Sequence, residues 1–231
     1  MAITTAQNGV TPNLAERMLP YRKGASRRPA PDMGSVVRFK RNETIFDEGD
    51  AAQFSYRIIS GVIRQCVLLP DGRRQIIDFL DKNDALGLGA EGLHDTRAEA
   101  VTDVLLARFP RNASLEASGH ASACAVARNL KQQLRRARLH TIMLGRQTVR
   151  ERVANFLVQL AARETDCLED DYQLDLPMGR QDIADYLGLT LETVCRMIGT
   201  LKREGLIDVP NTHCIVIRRA VLLRDLAQGD V

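Results

Sequence analysis

Residues 180–207, RQDIADYLGLTLETVCRMIGTLKREGLI, constrain the fold more than any other stretch, because two short apolar-periodic runs flank Gly188-Leu189-Thr190. Ile183, Ala184 and Leu187 share one face of a first helix, which Gly188 can end because glycine takes left-handed backbone angles at little steric cost. Thr190 is placed to cap a second helix, whose Val194, Ile198 and Leu201 recur at i, i+4 and i+7 and face inward. Glu192, Cys195, Arg196, Gly199, Lys202 and Arg203 then share the outer face. Helix, three-residue turn and helix make a helix-turn-helix, and the following GLIDVPNTHCIVI reads as a glycine stop and a small hairpin, a wing.

An αα-hairpin inside a helical core has the same periodicity, so the chemistry of the outer face decides between them. A carboxylate accepts from cytosine N4, and a guanidinium one turn further on takes guanine O6 and N7 together, so Glu192 and Arg196 can read adjacent base pairs. Leu191 can meet a thymine methyl, and Cys195 is a small neutral contact in the same groove. Arg180, Thr190, Thr193, Lys202 and Arg203 are placed for phosphates, which position a protein on the duplex without specifying sequence. Double-stranded DNA is the expected partner. Cys195 has a second reading, as a redox switch: a helix N-terminus and the adjacent Arg196 both favour thiolate.

The rest of the chain divides by texture. Residues 1–30 mix polar, proline and basic residues without a period and read as a flexible arm. Residues 31–116 hold short β-prone runs, SVVRFK, ETIF, YRIISG, VIRQCVLL, RQIIDFL and VLLARF, which imply a sandwich or barrel. Asp71-Gly72 lies between two of them and suits a tight hairpin. Residues 117–145 are helical, and Val126, Leu130, Leu134, Ala137, Thr141 and Leu144 form a seam of coiled-coil type. Its partner is either this chain's own β domain or a second copy, and the flanking cations favour a homodimer. Residues 146–231 carry the winged helix, entered through a hinge at 145–148 where Thr148 and Glu151 fit a capping box. The acidic ETDCLEDDYQLDLP reads as a surface loop.

A net charge of +3 says little about partners, but the local charge does: from Arg128 to Arg152 eight cations face the single acid Glu151, a solvated face or a phosphate-tracking one. No apolar run approaches the ~18 residues of a membrane helix, and no secretory signal opens the chain. A cytoplasmic protein is expected, with its five cysteines as thiols and no C-x-x-C spacing among them.

LGLTLETVCRMIGTLKREGLI resembles the recognition segment of the CRP/FNR family of bacterial transcription regulators, most closely its FixK-like branch, and RNETIFDEGDAAQFSYRIISGVIRQ extends the likeness across residues 36–220. The resemblance implies an α+β chain: an N-terminal β-roll of double-stranded β-helix or jelly-roll type, a long dimerisation helix and a C-terminal winged helix-turn-helix. It further implies Glu192 and Arg196 as principal base readers at TTGA-type half-sites, RNA polymerase as a partner, and activation in a microaerobic or nitrogen-related programme. A ligand- or redox-gated module of the same family, repressing or acting through a protein partner, is the alternative. Members that bind cyclic nucleotides carry a ribose-binding Glu and a phosphate-binding Arg. Leu88 and Thr96 stand at those places, and Arg97 falls one residue late, on the opposite face of a strand. The first 65 residues lack cysteine, so no iron–sulfur cluster is expected, and His94, His120, His140 and His213 make no haem signature. Neither cofactor nor metal is anticipated, and no arrangement of residues suggests an enzyme.

Overall fold

The computed structural model describes residues 34–89, 92–111 and 120–229; the expected arm, residues 1–30, lies outside them. Eight strands form two four-stranded antiparallel sheets. They are β1 (Ser35–Phe39), β2 (Thr44–Phe46), β3 (Phe54–Ser60), β4 (Ile63–Leu68), β5 (Arg74–Leu80), β6 (Ala85–Leu86), β7 (Arg97–Ala100) and β8 (Val104–Pro110). The sheet orders are β1-β8-β3-β6 and β2-β7-β4-β5. Ile58, Ile63, Leu80, Ala98 and Leu106 are sealed between them, since alternate residues of facing strands must bury their apolar sides. Asp71-Gly72 makes the expected hairpin. Leu68 pairs with Arg74, Gly72 sits at φ +83°, and the Gly72 amide donates to the Leu69 carbonyl at 2.9 Å. Strand β7, Arg-Ala-Glu-Ala, has no β-branched residue to betray it; pairing with β2 and β4 holds it extended.

Among the described residues five helices follow: α1 (His120–Arg146), α2 (Val149–Ala161), α3 (Arg180–Leu187), α4 (Leu191–Arg203) and α5 (Ala220–Gln228). Helix α1 runs through Gly145, and the helical run is interrupted at residues 147–148. There the Thr148 hydroxyl accepts from the Glu151 amide while the Glu151 carboxylate accepts from the Thr148 amide at 2.9 Å, the expected capping box. Part of the acidic stretch expected as a loop is instead a strand, β9 (Tyr172–Asp175). It pairs with β11 (Cys214–Ile217), which pairs in turn with β10 (Ile207–Asn211). Leu174 is the cause: it is fully buried between exposed Gln173 and Asp175, an alternation of period two.

Helix α1 serves two neighbours. At its middle, Gln133 Nε2 donates to the Ala85 carbonyl at 2.6 Å and Arg136 bridges Asp78 and Asp84, all on the β-roll. In its last turns His140 bonds the Tyr186 carbonyl at 2.8 Å and stacks on the Tyr186 ring at 4.1 Å, while Met143 sinks into the winged-helix core. Arg152 then donates to three carbonyls, those of Leu144, Gln147 and Leu187, at 2.8–3.1 Å. Leu130 and Leu134 are 44% and 51% exposed, and Ala137 and Thr141 are exposed beside them. Val126 is half-buried. Leu144, expected in the same seam, is half-buried against the core of its own winged helix. The eight cations of this region also separate by role: Arg136, Arg150 and Arg152 are used internally, and Arg128, Lys131, Arg135, Arg138 and Arg146 stay exposed.

Candidate nucleic-acid interface

Helix α4 is placed by the residues that bury its back. Val194, Ile198 and Leu201 are 0%, 6% and 0% exposed and meet Ile183, Ala184 and Leu187 of α3 in one core. The turn between the two helices needs a left-handed residue, and Gly188 supplies it at φ 62°, ψ 39° with its amide bonded to the Ala184 carbonyl. Thr190 begins the next helix, its hydroxyl accepting from the Thr193 amide at 3.2 Å and lying 2.8 Å from the Thr193 hydroxyl.

The outer face follows. Leu191, Glu192, Cys195, Arg196, Gly199, Lys202 and Arg203 are all exposed, and nothing would lie within 4 Å of a side chain added at Gly199. The side chains of Glu192 and Arg196 stand one turn apart and engage in no hydrogen bond or ion pair among the described residues. Their polar groups are free to meet a ligand. The anticipated phosphate contacts are less uniform. Lys202 is held by Asp208 at 2.9 Å, and that pairing keeps the Asp208 carboxyl below its ordinary range. Arg203 leans on the Thr200 hydroxyl at 3.0 Å. Thr190 and Thr193 spend their hydroxyls on the cap. Arg180, at the first turn of α3, is half-buried with its Nη1 unpaired; burial pushes its guanidinium down, and the neighbouring Cys195 sulfur opposes that shift. Asp208, which restrains Lys202, was beyond sequence reasoning, because the turn at Gly205 brings it back to α4.

A second site question concerns the β-roll. Its interior cavity, about 230 Å³, is lined by Phe46, Gln65, His94, Asp95, Thr96 and Gln133 among others, and no Arg or Lys is among the described lining residues. Arg97 turns to the other side of β7, where it meets Asp47 at 3.2 Å and Glu99 at 2.9 Å. His94 is stacked on Phe46 at 3.7 Å, and burial pushes its imidazole below the ordinary value, away from a cation. A cyclic nucleotide phosphate does not fit a cavity that offers it a carboxylate and no described cation.

Residues 151–226 match the Crp-like helix-turn-helix domain, and residues 36–119 match the cyclic nucleotide-binding domain. Over 197 residues, 84% of this chain and 79% of the relative, it is 39% identical to the nitrogen fixation regulation protein FixK of Azorhizobium caulinodans. It is 38% identical to the transcriptional activatory protein AadR of Rhodopseudomonas palustris over 175 residues, 75% of this chain and 73% of that one. The structure of FixK2 from Bradyrhizobium japonicum superposes with a TM-score of 0.75 at 34% identity, covering 83% of this chain and 96% of the other. No described helix is long and apolar enough to cross a membrane.

Proposed function

The chain belongs to the CRP/FNR family of transcription regulators, and from that membership we propose that it binds TTGA-type dyads as a homodimer and activates transcription there. Proteins of this family act through DNA rather than as enzymes. The observation that carries the reading is the outer face of α4, where Glu192 and Arg196 stand exposed and unpaired one turn apart, near the N-terminal end that enters a major groove. Leu191 and Cys195 complete the base-reading set, and Arg180, Thr190, Thr193, Lys202 and Arg203 surround it for the phosphate backbone. Lys202 reaches a phosphate by leaving Asp208, so its contribution is smaller than that of a free lysine.

Two-fold symmetry in the site calls for two-fold symmetry in the protein. The exposed Leu130, Leu134, Ala137 and Thr141, flanked by Val126 and Leu144, offer the self-complementary stripe that such a dimer needs. Activation implies contact with RNA polymerase in the cytoplasm; the likeness to the activatory protein AadR supports activation, and that to the nitrogen fixation regulation protein FixK supports a nitrogen-related programme. Fluorescence anisotropy with a labelled TTGA dyad, against a scrambled duplex at fixed salt, tests the reading. The dyad should bind at least ~10³-fold more tightly, and equal affinities would remove the basis of the proposal.

A further inference from the structure

The winged helix is tied to the β-roll by charges as well as by apolar packing. Arg64 of β4 donates its Nε to Glu99 of β7 at 2.8 Å and its Nη1 to Asp182 of α3 at 3.1 Å. Arg74 of β5 reaches Asp182 at 2.6 Å, Asp185 at 2.7 Å and Glu99 at 3.4 Å. These five side chains are only 10–23% exposed. Gln75 adds a bond to the Tyr186 carbonyl at 3.3 Å, so the first turn, the middle and the end of α3 are all held.

Buried ion pairs are poor adhesives, because the cost of desolvating the charges offsets much of their attraction. What two guanidinium forks do provide is direction: planar donors fix both the position and the angle of the carboxylates they bind. Helix α3 shares its core with α4 across the three-residue turn, so an angle set for α3 is an angle set for the recognition helix. The clamp also leaves the outer face of α4 uncovered, which makes it a device for aiming that face rather than for hiding it.

We propose that Arg64, Arg74, Glu99, Asp182 and Asp185 form a positioning clamp that sets the half-site spacing the dimer accepts. This rests on the reading of the protein as a dyad-binding homodimer. Two recognition helices must lie about one turn of duplex apart, ~34 Å, to reach successive major grooves. With the clamp closed each winged helix is referenced to its own β-roll, and the dimer presents a single separation. With the clamp cut, the winged helix stays attached to the last turns of α1, but its angle to the β-roll is no longer fixed by the guanidinium forks, and several separations become acceptable.

The test uses the full chain and a set of duplexes: the dyad at its preferred spacing, the same dyad with one base pair added or removed, and a single half-site. Arg74→Met keeps the length of the stem while removing the fork. Its preference for the native spacing should fall at least about tenfold relative to wild type, while its affinity for the single half-site stays within about twofold. Asp185→Asn, a milder cut at the edge of the clamp, should move spacing preference in the same direction if Arg74→Met fails to fold. A folded Arg74→Met that keeps the wild-type spacing preference overturns the clamp, as does one that loses half-site and dyad binding in equal measure. A wild-type protein that does not distinguish the dyad from a scrambled duplex overturns the dimeric reading and the clamp with it.

Discussion

Replacing Leu134 by alanine should weaken self-association by roughly ten- to a hundredfold. Burying a leucine completely contributes about 1.5–3 kcal/mol. Leu134 is 51% exposed in the single chain, so covering the remainder is worth about half of that per protomer. A two-fold interface counts the residue twice, giving ~1.5–3 kcal/mol for the pair, and each 1.4 kcal/mol is about a factor of ten in dissociation constant. Ile142 provides the control: it is 57% exposed but lies off the Leu130–Leu134–Thr141 stripe, about 100° round the helix from Thr141. Sedimentation equilibrium of wild type, Leu134→Ala and Ile142→Ala would read the three constants directly. Leu134→Glu adds a charge to the seam and should leave the protein monomeric at micromolar concentration, since an unpaired buried charge is costly. If Leu134→Ala stays within about twofold of wild type, or Ile142→Ala proves the more damaging change, the stripe is not the dimer interface.

Arg196→Ala should lose about 1–3 kcal/mol of discrimination at one guanine in each half-site, whereas Lys202→Ala should weaken all duplexes alike; uniform loss for Arg196→Ala would reduce it to a phosphate contact. Purified protein should bind its site without added cyclic nucleotide, and dependence on one would contradict the absence of a cation among the described residues lining the β-roll cavity. Peroxide should reduce binding by wild type and spare Cys195→Ser, because an oxidised Cys195 places an anion on the exposed face of α4, in the groove; equal losses would assign the effect to another thiol. His140 gives a pH dependence. Burial holds its imidazole below the ordinary 6.5, so as pH falls the unfolded chain takes up the proton first. Stability should therefore be complete well above the ordinary 6.5 and decline as the pH falls below it, in part through His94 as well. The urea midpoint of His140→Gln should fall less over that window, and an unchanged slope would dismiss His140 as a contributor.

The recognition helix was legible because its two constraints are local: the 3.6-residue spacing of Val194, Ile198 and Leu201, and the glycine and threonine that stop one helix and start the next. Six of the eight β-roll strands were legible for the same reason. Strands β6 and β7 were not, being short and without β-branched residues, and they exist through their partners. Strand β9 and helix α5 went unread too: Leu174 is a single apolar residue in an acidic run, and Ala220–Gln228 follows too closely on the wing to announce itself. The sequence spacing of Arg64, Arg74, Glu99 and Asp182 carries no hint that they converge, since 118 residues separate the ends of one of these bonds. Long-range polar contacts are set by the packing of whole elements, and no window of sequence contains them.

Helix α1 is a shared possession, and this bears on what can be cut out or exchanged. A fragment beginning at residue 146 takes the winged helix by its sequence boundary but leaves behind Met143, Leu144 and His140, which pack or bond against it. It would also strip Arg152 of the Leu144 carbonyl and open the core beneath Tyr186 and Leu187. A fragment begun a turn before His140 retains all of these contacts. The same holds for recombination between relatives: a crossover at the hinge joins one protein's last turns of α1 to another's winged helix and must match His140, Met143 and Leu144 to a foreign Tyr186 pocket. A crossover between Arg136 and His140 falls where the helix changes allegiance, and there each half keeps the α1 side chains it was packed with, leaving only the ties from Arg64, Arg74 and Gln75 to α3 to be matched.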